Sequence, residues 1–154
     1  MEIALFSGIG SEDPRYVEAA EYALGMVKKR DSGSLFERFA GAALALPDDE
    51  LLAGLLRDRY DMYIGFEGGE PAGHVAFQRH GGECHMFSIE LGEAYQGMGN
   101  SLVLSQALIE YARHGRMKIK WSDGNNAGAL GVLEAIRGRS AELGVEVDGL
   151  WITP

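Results

Sequence analysis

The sequence predicts an α/β (α+β) protein: a mixed, mostly antiparallel central sheet flanked by helices, with a helix-rich N-terminal third. Three observations carry this prediction. Apolar residues recur at helical spacing early in the chain, as in Val17, Ala20, Leu24 and Val27. From Met62 the period shortens to three strand-like runs, "DMYIGFE", "PAGHVAFQRH" and "ECHMFSIEL", separated by two "GGE" turns that suit antiparallel hairpins. Beyond them helix and strand patterns alternate, and a strand–helix–strand crossover of that length pairs its strands in parallel.

The elements follow in order. A short strand is predicted at Glu2–Phe6. Pro14 after Asp13 starts a helix, and "KKR" closes it where cations suit the negative helix end. A second helix is predicted over Leu35–Leu46, and a third after "PDDE" with Leu52, Leu55 and Leu56 inside. The three strand runs come next, then a helix from Ser101 to His114 with a polar stripe at Gln106, Glu110 and Arg113. "MKIKW" is a fourth strand run, with Met117, Ile119 and Trp121 on one face. Asn126–Leu143 reads as a further helix ending at Gly144, and "VEVDGLWITP" closes with short strands around an Asp-Gly turn.

Length and composition narrow the function classes. At 154 residues the chain suits one domain, 1–154, able to build a core without disulfides or metal. The single cysteine, Cys84, excludes an internal disulfide and a cysteine-based zinc site, which fits a reducing cytoplasm. His74 and His80 lack ligand-like spacing, so no metal is expected. No apolar run is long enough to span a membrane, and "MEIALFSGIG" lacks the features of a secretory signal. A net charge of −9 argues against nucleic acid, whose binding rests on Lys and Arg neutralising phosphates.

The stretch "YQGMGNSLVLSQALIEYAR" carries the strongest chemical signal. A helix start leaves its first N–H groups unpartnered and partially positive. Gly97 and Gly99 before it let the backbone curl and aim several amides at one point, which makes a cradle for phosphate or pyrophosphate. No Gly-Lys-Ser/Thr follows, so it is not a Walker A loop. A Rossmann dinucleotide site competes, with Asp123 as the acid. Leu102 at the third glycine position, the long "GEAYQ" lead and the antiparallel meander weigh against it.

"YQGMGNS" after a strand resembles the Arg/Gln-x-x-Gly-x-Gly/Ala signature of the GNAT superfamily of N-acyltransferases, with Gln96 first, Gly99 central and Ser101 in the last position. "SLVLSQALIEYAR", "KIKWSDGNNAGALGVLEAI" and "LGVEV" are similar to the elements that follow the signature in that family. The resemblance runs from about Met62 to Val147 and implies the acyl-CoA N-acyltransferase fold. It implies that the amides of Gly97, Met98, Gly99, Asn100 and Ser101 hold the pyrophosphate of acetyl-CoA or another acyl-CoA, with the Ser101 hydroxyl aiding a phosphate or capping the helix. The pantetheine arm would lie along Glu83–Leu91, bonding main chain near Ile89 and Leu91, with Asn126 opposite.

The implied reaction is direct transfer of an acetyl or acyl group to a primary amine on a small molecule or peptide. It requires a base for the amine, a donor to the carbonyl oxygen and departure of the thiolate. Glu83, thirteen positions before Gln96, is the first candidate base by resemblance. Strict alternation puts Glu83, His85, Phe87, Ile89 and Leu91 on one face and Glu90 on the other. His85 is the second candidate, since a free imidazole titrates near ~6.5. The family's usual acid, a tyrosine seven residues after Asn126, is Leu133 here, in the stripe Leu130, Leu133, Ile136. Water then protonates the thiolate, or it leaves unprotonated, or the chain binds acyl-CoA without turnover. Little sequence follows Trp151, so a second copy is expected to complete the sheet or the acceptor cleft as a homodimer. Cys84 is expected to pack.

Overall fold

A computed structural model describes residues 1–28, 47–122 and 127–154. The predicted helix at Leu35–Leu46 and the positions of Asp123 and Asn126 lie outside the described residues. The elements are β1 (Glu2–Leu5), α1 (Tyr16–Lys28), α2 (Asp48–Arg57), β2 (Tyr60–Glu67), β3 (Glu70–His80), β4 (Glu83–Leu91), α3 (Asn100–His114), β5 (Lys118–Lys120), α4 (Ala127–Gly138), α5 (Ser140–Leu143), β6 (Glu146–Asp148) and β7 (Trp151–Thr153). Short 3₁₀ turns cover Phe6–Gly8 and Glu93–Tyr95. No helix among the described residues is long and apolar enough to cross a membrane.

The strands form one seven-stranded mixed sheet in the order β1-β2-β3-β4-β5-β7-β6. Neighbours pair antiparallel except β4 and β5, which are parallel and joined through α3, as the crossover predicts. Both glycine turns are required by backbone conformation: Gly68, Gly69 and Gly81 have φ of 59°, 85° and 62°.

Helices cover both faces. On one, Ala19, Ala23, Leu24, Met26 and Val27 of α1 and Leu51 and Leu55 of α2 pack on Tyr60, Met62, Ile64, Phe66 and Ala76. On the other, Leu104, Leu108, Ile109 and Ala112 of α3 and Ala129, Leu133 and Ile136 of α4 pack on Val75, Phe77, Cys84, Met86, Ile119 and Ile152. Each large aliphatic side chain buried here contributes roughly 1.5–3 kcal/mol.

Several sequence expectations shift at this level. Helix α1 begins at Tyr16, and Val17 at its start is 64% exposed, so the apolar row continues through Ala19 and Ala23 instead. Leu56 and Leu130 are also exposed, although Leu133 and Ile136 are core. The long helix predicted to Leu143 breaks at Gly138–Arg139 into α4 and α5. Glycine in a helix costs about 1 kcal/mol relative to alanine, and here it sits where the chain turns. Arg113 of α3 donates from Nη2 to the Leu143 carbonyl at 2.8 Å, closing the end of α5.

The most consequential shift lies in β4. Ala76 pairs with Ser88 while Phe77 pairs with Met86, so Phe87 is an extra residue, a β-bulge. Past a bulge the alternation inverts. Cys84, Met86, Ile89 and Leu91 therefore face α3, whereas Ser88 and Glu90 join Glu83, His85 and Phe87 on the α1 side. Ile89 and Leu91 do not share a face with Glu83, and Glu90 does: the uniform alternation expected from sequence is corrected by one residue.

Candidate active site

Strand β4 organises the site because its second edge is only half used. Its partner β5 pairs at Glu83, Cys84 and His85 and no further. From Met86 to Leu91, no described strand pairs with that edge. A cavity of about 550 Å³ lies along it, walled by Ile89, Glu90 and Leu91 of β4, by Gln96, Gly97 and Ser101, and across the gap by Gly128 and Val132 of α4.

The loop at the mouth of α3 completes this cavity. Gly92 is anchored by its N–H to the Ala72 carbonyl at 2.9 Å, Gln96 Nε2 donates to the Leu91 carbonyl at 3.0 Å, and Asn100 Nδ2 donates to the Tyr95 carbonyl at 3.1 Å. Gly97 and Gly99 take left-handed φ of 74° and 78°, and a Cβ at either would meet nothing within 4 Å. The glycines are there for conformation, not for clearance. Helix α3 has no side-chain cap at its start, so the Ser101 hydroxyl does not cap it. The backbone amides of Gly97, Met98, Gly99, Asn100 and Ser101 donate to no group among the described residues, while Leu102 and Val103 donate to the Gly99 carbonyl. Five consecutive amides without a partner at a helix N-terminus have the chemistry that suits an anion.

The expected cofactor residues Ile89, Leu91, Gln96, Gly97 and Ser101 thus border one cavity. Met98 is exposed at the loop tip, and Gly99 and Asn100 form the turn into α3. Glu90, Gly128 and Val132 were not singled out by sequence reasoning; Glu90 is reached only if the bulge is known. Of the main-chain groups near Ile89 and Leu91 expected to serve the ligand, the Leu91 carbonyl accepts from Gln96.

Glu83 and His85 come together at the other end of β4. Glu83 Oε2 lies 2.6 Å from His85 Nε2, with side chains 43% and 26% exposed. This hydrogen bond from His85 is the main cause holding the Glu83 carboxyl below its ordinary value, aided by His80 and Lys120 nearby. Nδ1 of His85 has no hydrogen-bond partner among the described residues. A second, smaller cavity of about 110 Å³ opens beside His85, bordered by Tyr60, Gln78, Phe87, Lys120 and Trp121. Along β4 the two cavities are separated only by Ser88, one strand residue of about 3.3 Å.

Ser88 itself is fixed. Its Oγ lies 3.0 Å from Nε2 of His74, which is 1% exposed, and His74 Nδ1 lies 2.8 Å from the Tyr22 hydroxyl on α1. Burial, then the charge of Glu90, pushes Tyr22 up to about 12. Sequence reasoning placed no weight on this chain, because its three members are far apart in sequence. Leu133 is 2% exposed, a core residue as expected, and Cys84 is buried with its thiol pushed up to about 12 by desolvation.

No curated protein matches the chain. Among solved structures, it is similar to a ribosomal-protein-alanine N-acetyltransferase from Brucella melitensis biovar Abortus 2308 at 14% identity, covering 88% of this chain and 91% of that one with TM-score 0.55. The ribosomal-protein-S18-alanine N-acetyltransferase of Escherichia coli matches at 18% identity over 88% and 76% of the two chains, with TM-score 0.51. An aminoglycoside 6'-N-acetyltransferase complexed with coenzyme A matches at 9% identity over 100% and 96%, also with TM-score 0.51. At these identities the likeness shows the fold. The sequence model of the Acetyltransferase (GNAT) family matches residues 31–138, well over half of the molecule, and the chain belongs to that family.

Proposed function

We propose that the chain is an acyl-CoA-dependent N-acetyltransferase acting on a primary amine. The observation that carries this reading is the run of five amides, Gly97–Ser101, without a partner among the described residues, with Gly97 and Ser101 at its two ends bordering the cavity beside β4. The fit to acyl-CoA is physical: free amides at a helix start suit a diphosphate, and a strand edge that no described strand covers suits an amide-bearing arm. Acyl-CoA supplies an activated thioester, so the protein need only bind, orient and move protons.

In this reading the residues divide as follows. Gly97, Met98, Gly99, Asn100 and Ser101 donate backbone N–H groups to the diphosphate, and Ser101 Oγ is free to add another bond. Ile89 and Leu91 offer main-chain groups to the arm. A main-chain N–H near Ile89 or Leu91 donates to the carbonyl oxygen of the thioester. His85 accepts the amine proton at Nδ1, and Glu83 fixes the ring by accepting from Nε2. This division reverses the order expected from sequence, in which Glu83 is the first candidate base. A carboxylate held below its usual range by a histidine is the weaker base and the better orienting group. Overall, the amine nitrogen forms a bond to the acyl carbon, the carbon–sulfur bond breaks, and the products are amide and thiol.

The test is thiol release from acetyl-CoA in the presence of amines, alongside thermal shift with acetyl-CoA, longer acyl-CoAs and NAD. Stabilisation by acetyl-CoA with amine-dependent thiol release supports the reading. Stabilisation without any release would favour a non-catalytic acyl-CoA binding module, for which the buried Leu133 speaks. Stabilisation by NAD alone would sink both.

A further inference from the structure

We infer that the acceptor is a zwitterion-like small molecule, a primary amine carrying a carboxylate, and that Lys120 recognises that carboxylate. This inference rests on the acetyltransferase reading above and deepens it.

One row of sheet partners crosses the candidate acceptor cavity. Tyr60 pairs with Gln78, Gln78 with His85, His85 with Lys120, and Lys120 with Trp151. Partners in such a row share a face with Cβ atoms about 5 Å apart. Lys120 therefore stands beside the group proposed to deprotonate the amine, and it borders the same 110 Å³ cavity. Its ammonium lies 5.9 Å from the centre of the Trp151 ring, which steers the chain without neutralising it.

Position at the cavity, with charge, singles Lys120 out. The chain carries 23 acidic and 14 basic residues. Arg15, Arg113, Arg137 and Arg139 are each ion-paired with carboxylates. Lys120 makes no ion pair among the described residues, and it is the one ammonium or guanidinium among the described residues that border this cavity. The amine of an acceptor is served by the Glu83–His85 pair, while Lys120 offers the opposite charge one strand away. That spacing suits two opposite charges on one small molecule. One cation beside Glu83 in an acidic protein suits a singly charged carboxylate better than a doubly charged phosphate. Tyr60, Phe87 and Trp121 give the remaining wall an aromatic character suited to an apolar side group.

The experiment measures kcat/KM with acetyl-CoA for glycine, phenylalanine and lysine, each as free acid and as carboxamide, and for spermidine, at equal concentrations of unprotonated amine. A charge-assisted contact predicts that a free acid outperforms its carboxamide by about tenfold to a hundredfold. Lys120→Gln should collapse that ratio towards one, whereas Lys120→Arg should keep most of it. Carboxamides or spermidine turned over as well as the acids, or a ratio that survives Lys120→Gln, would overturn this inference and leave the acetyltransferase reading standing. Thiol release with none of the amines overturns both.

Discussion

Replacing His74 by phenylalanine tests how the bulge of β4 is held. The imidazole is 1% exposed and bridges the Tyr22 hydroxyl at 2.8 Å and the Ser88 hydroxyl at 3.0 Å. Phenylalanine fills nearly the same volume but strips both hydroxyls of this partner. A buried polar group left without a partner costs about 1–3 kcal/mol. Ser88, 6% exposed, should incur most of that, whereas the half-buried Tyr22 can recruit water. A total near 2–3 kcal/mol corresponds to a fall in Tm of roughly 5–10 °C for a domain of this length. Adding Ser88→Ala to the His74→Phe background should restore about 1 kcal/mol, although Ser88→Ala alone destabilises. Denaturant melts of the four proteins give the coupling directly. If His74→Phe melts within a degree of the parent, or the two substitutions simply add, the bridge does not hold the bulge.

Other expectations follow from named groups. His85→Ala should lower kcat by about 10²–10⁴-fold, the usual worth of a positioned base. Glu83→Gln should lower it less and should change the pH dependence of kcat/KM, because the ring stays but its orienting carboxylate goes. In alkali, a buried thiol whose folded value is near 12 keeps its proton after the unfolded chain has lost it. Stability should thus be intact below the ordinary thiol value near 9 and fall as pH rises from about 9 to 12, approaching about 1.4 kcal/mol per pH unit. Tyr22, also near 12 in the fold, adds to this decline above pH 10, and chemical denaturation across that range measures both. Leu133→Ala should cost about 2–5 kcal/mol as a core cavity. Leu133→Tyr should also destabilise, by about 1–3 kcal/mol through overpacking, and should leave turnover no faster in the thiol-release assay.

Much of the architecture was legible because it depends on local patterns. Two Gly-Gly turns fixed the β2–β3–β4 meander, and the length of α3 fixed the parallel pairing of β4 with β5. The glycine loop was legible too, since Gly97 and Gly99 adopt the left-handed backbone that made them conspicuous. What stayed hidden depends on pairing between distant segments. The Phe87 bulge arises from the register of β3 against β4, and no residue type announces it, yet it decides that Glu90 faces Tyr22 and that Ile89 faces α3. The Tyr22–His74–Ser88 chain draws on three elements and has no sequence signature. The break at Arg139 was missed because the apolar period of α4 runs on towards Leu143, and a glycine at Gly138 only weakens a helix in prospect. The Glu83–His85 contact was anticipated as two residues on one face of a strand, and their separation of 2.6 Å is what the two roles proposed for them rest on.

Everything proposed for catalysis depends on free backbone N–H groups at the start of α3 gripping a diphosphate. Isothermal titration with acetyl-CoA and with acetyl-pantetheine, which keeps the thioester and arm but lacks the nucleotide and its diphosphate, tests this most directly. The account predicts measurable acetyl-CoA binding and a loss of at least about a hundredfold in affinity for acetyl-pantetheine, equivalent to roughly 2.7 kcal/mol. Equal affinity for the two, or tight binding of neither, would contradict it.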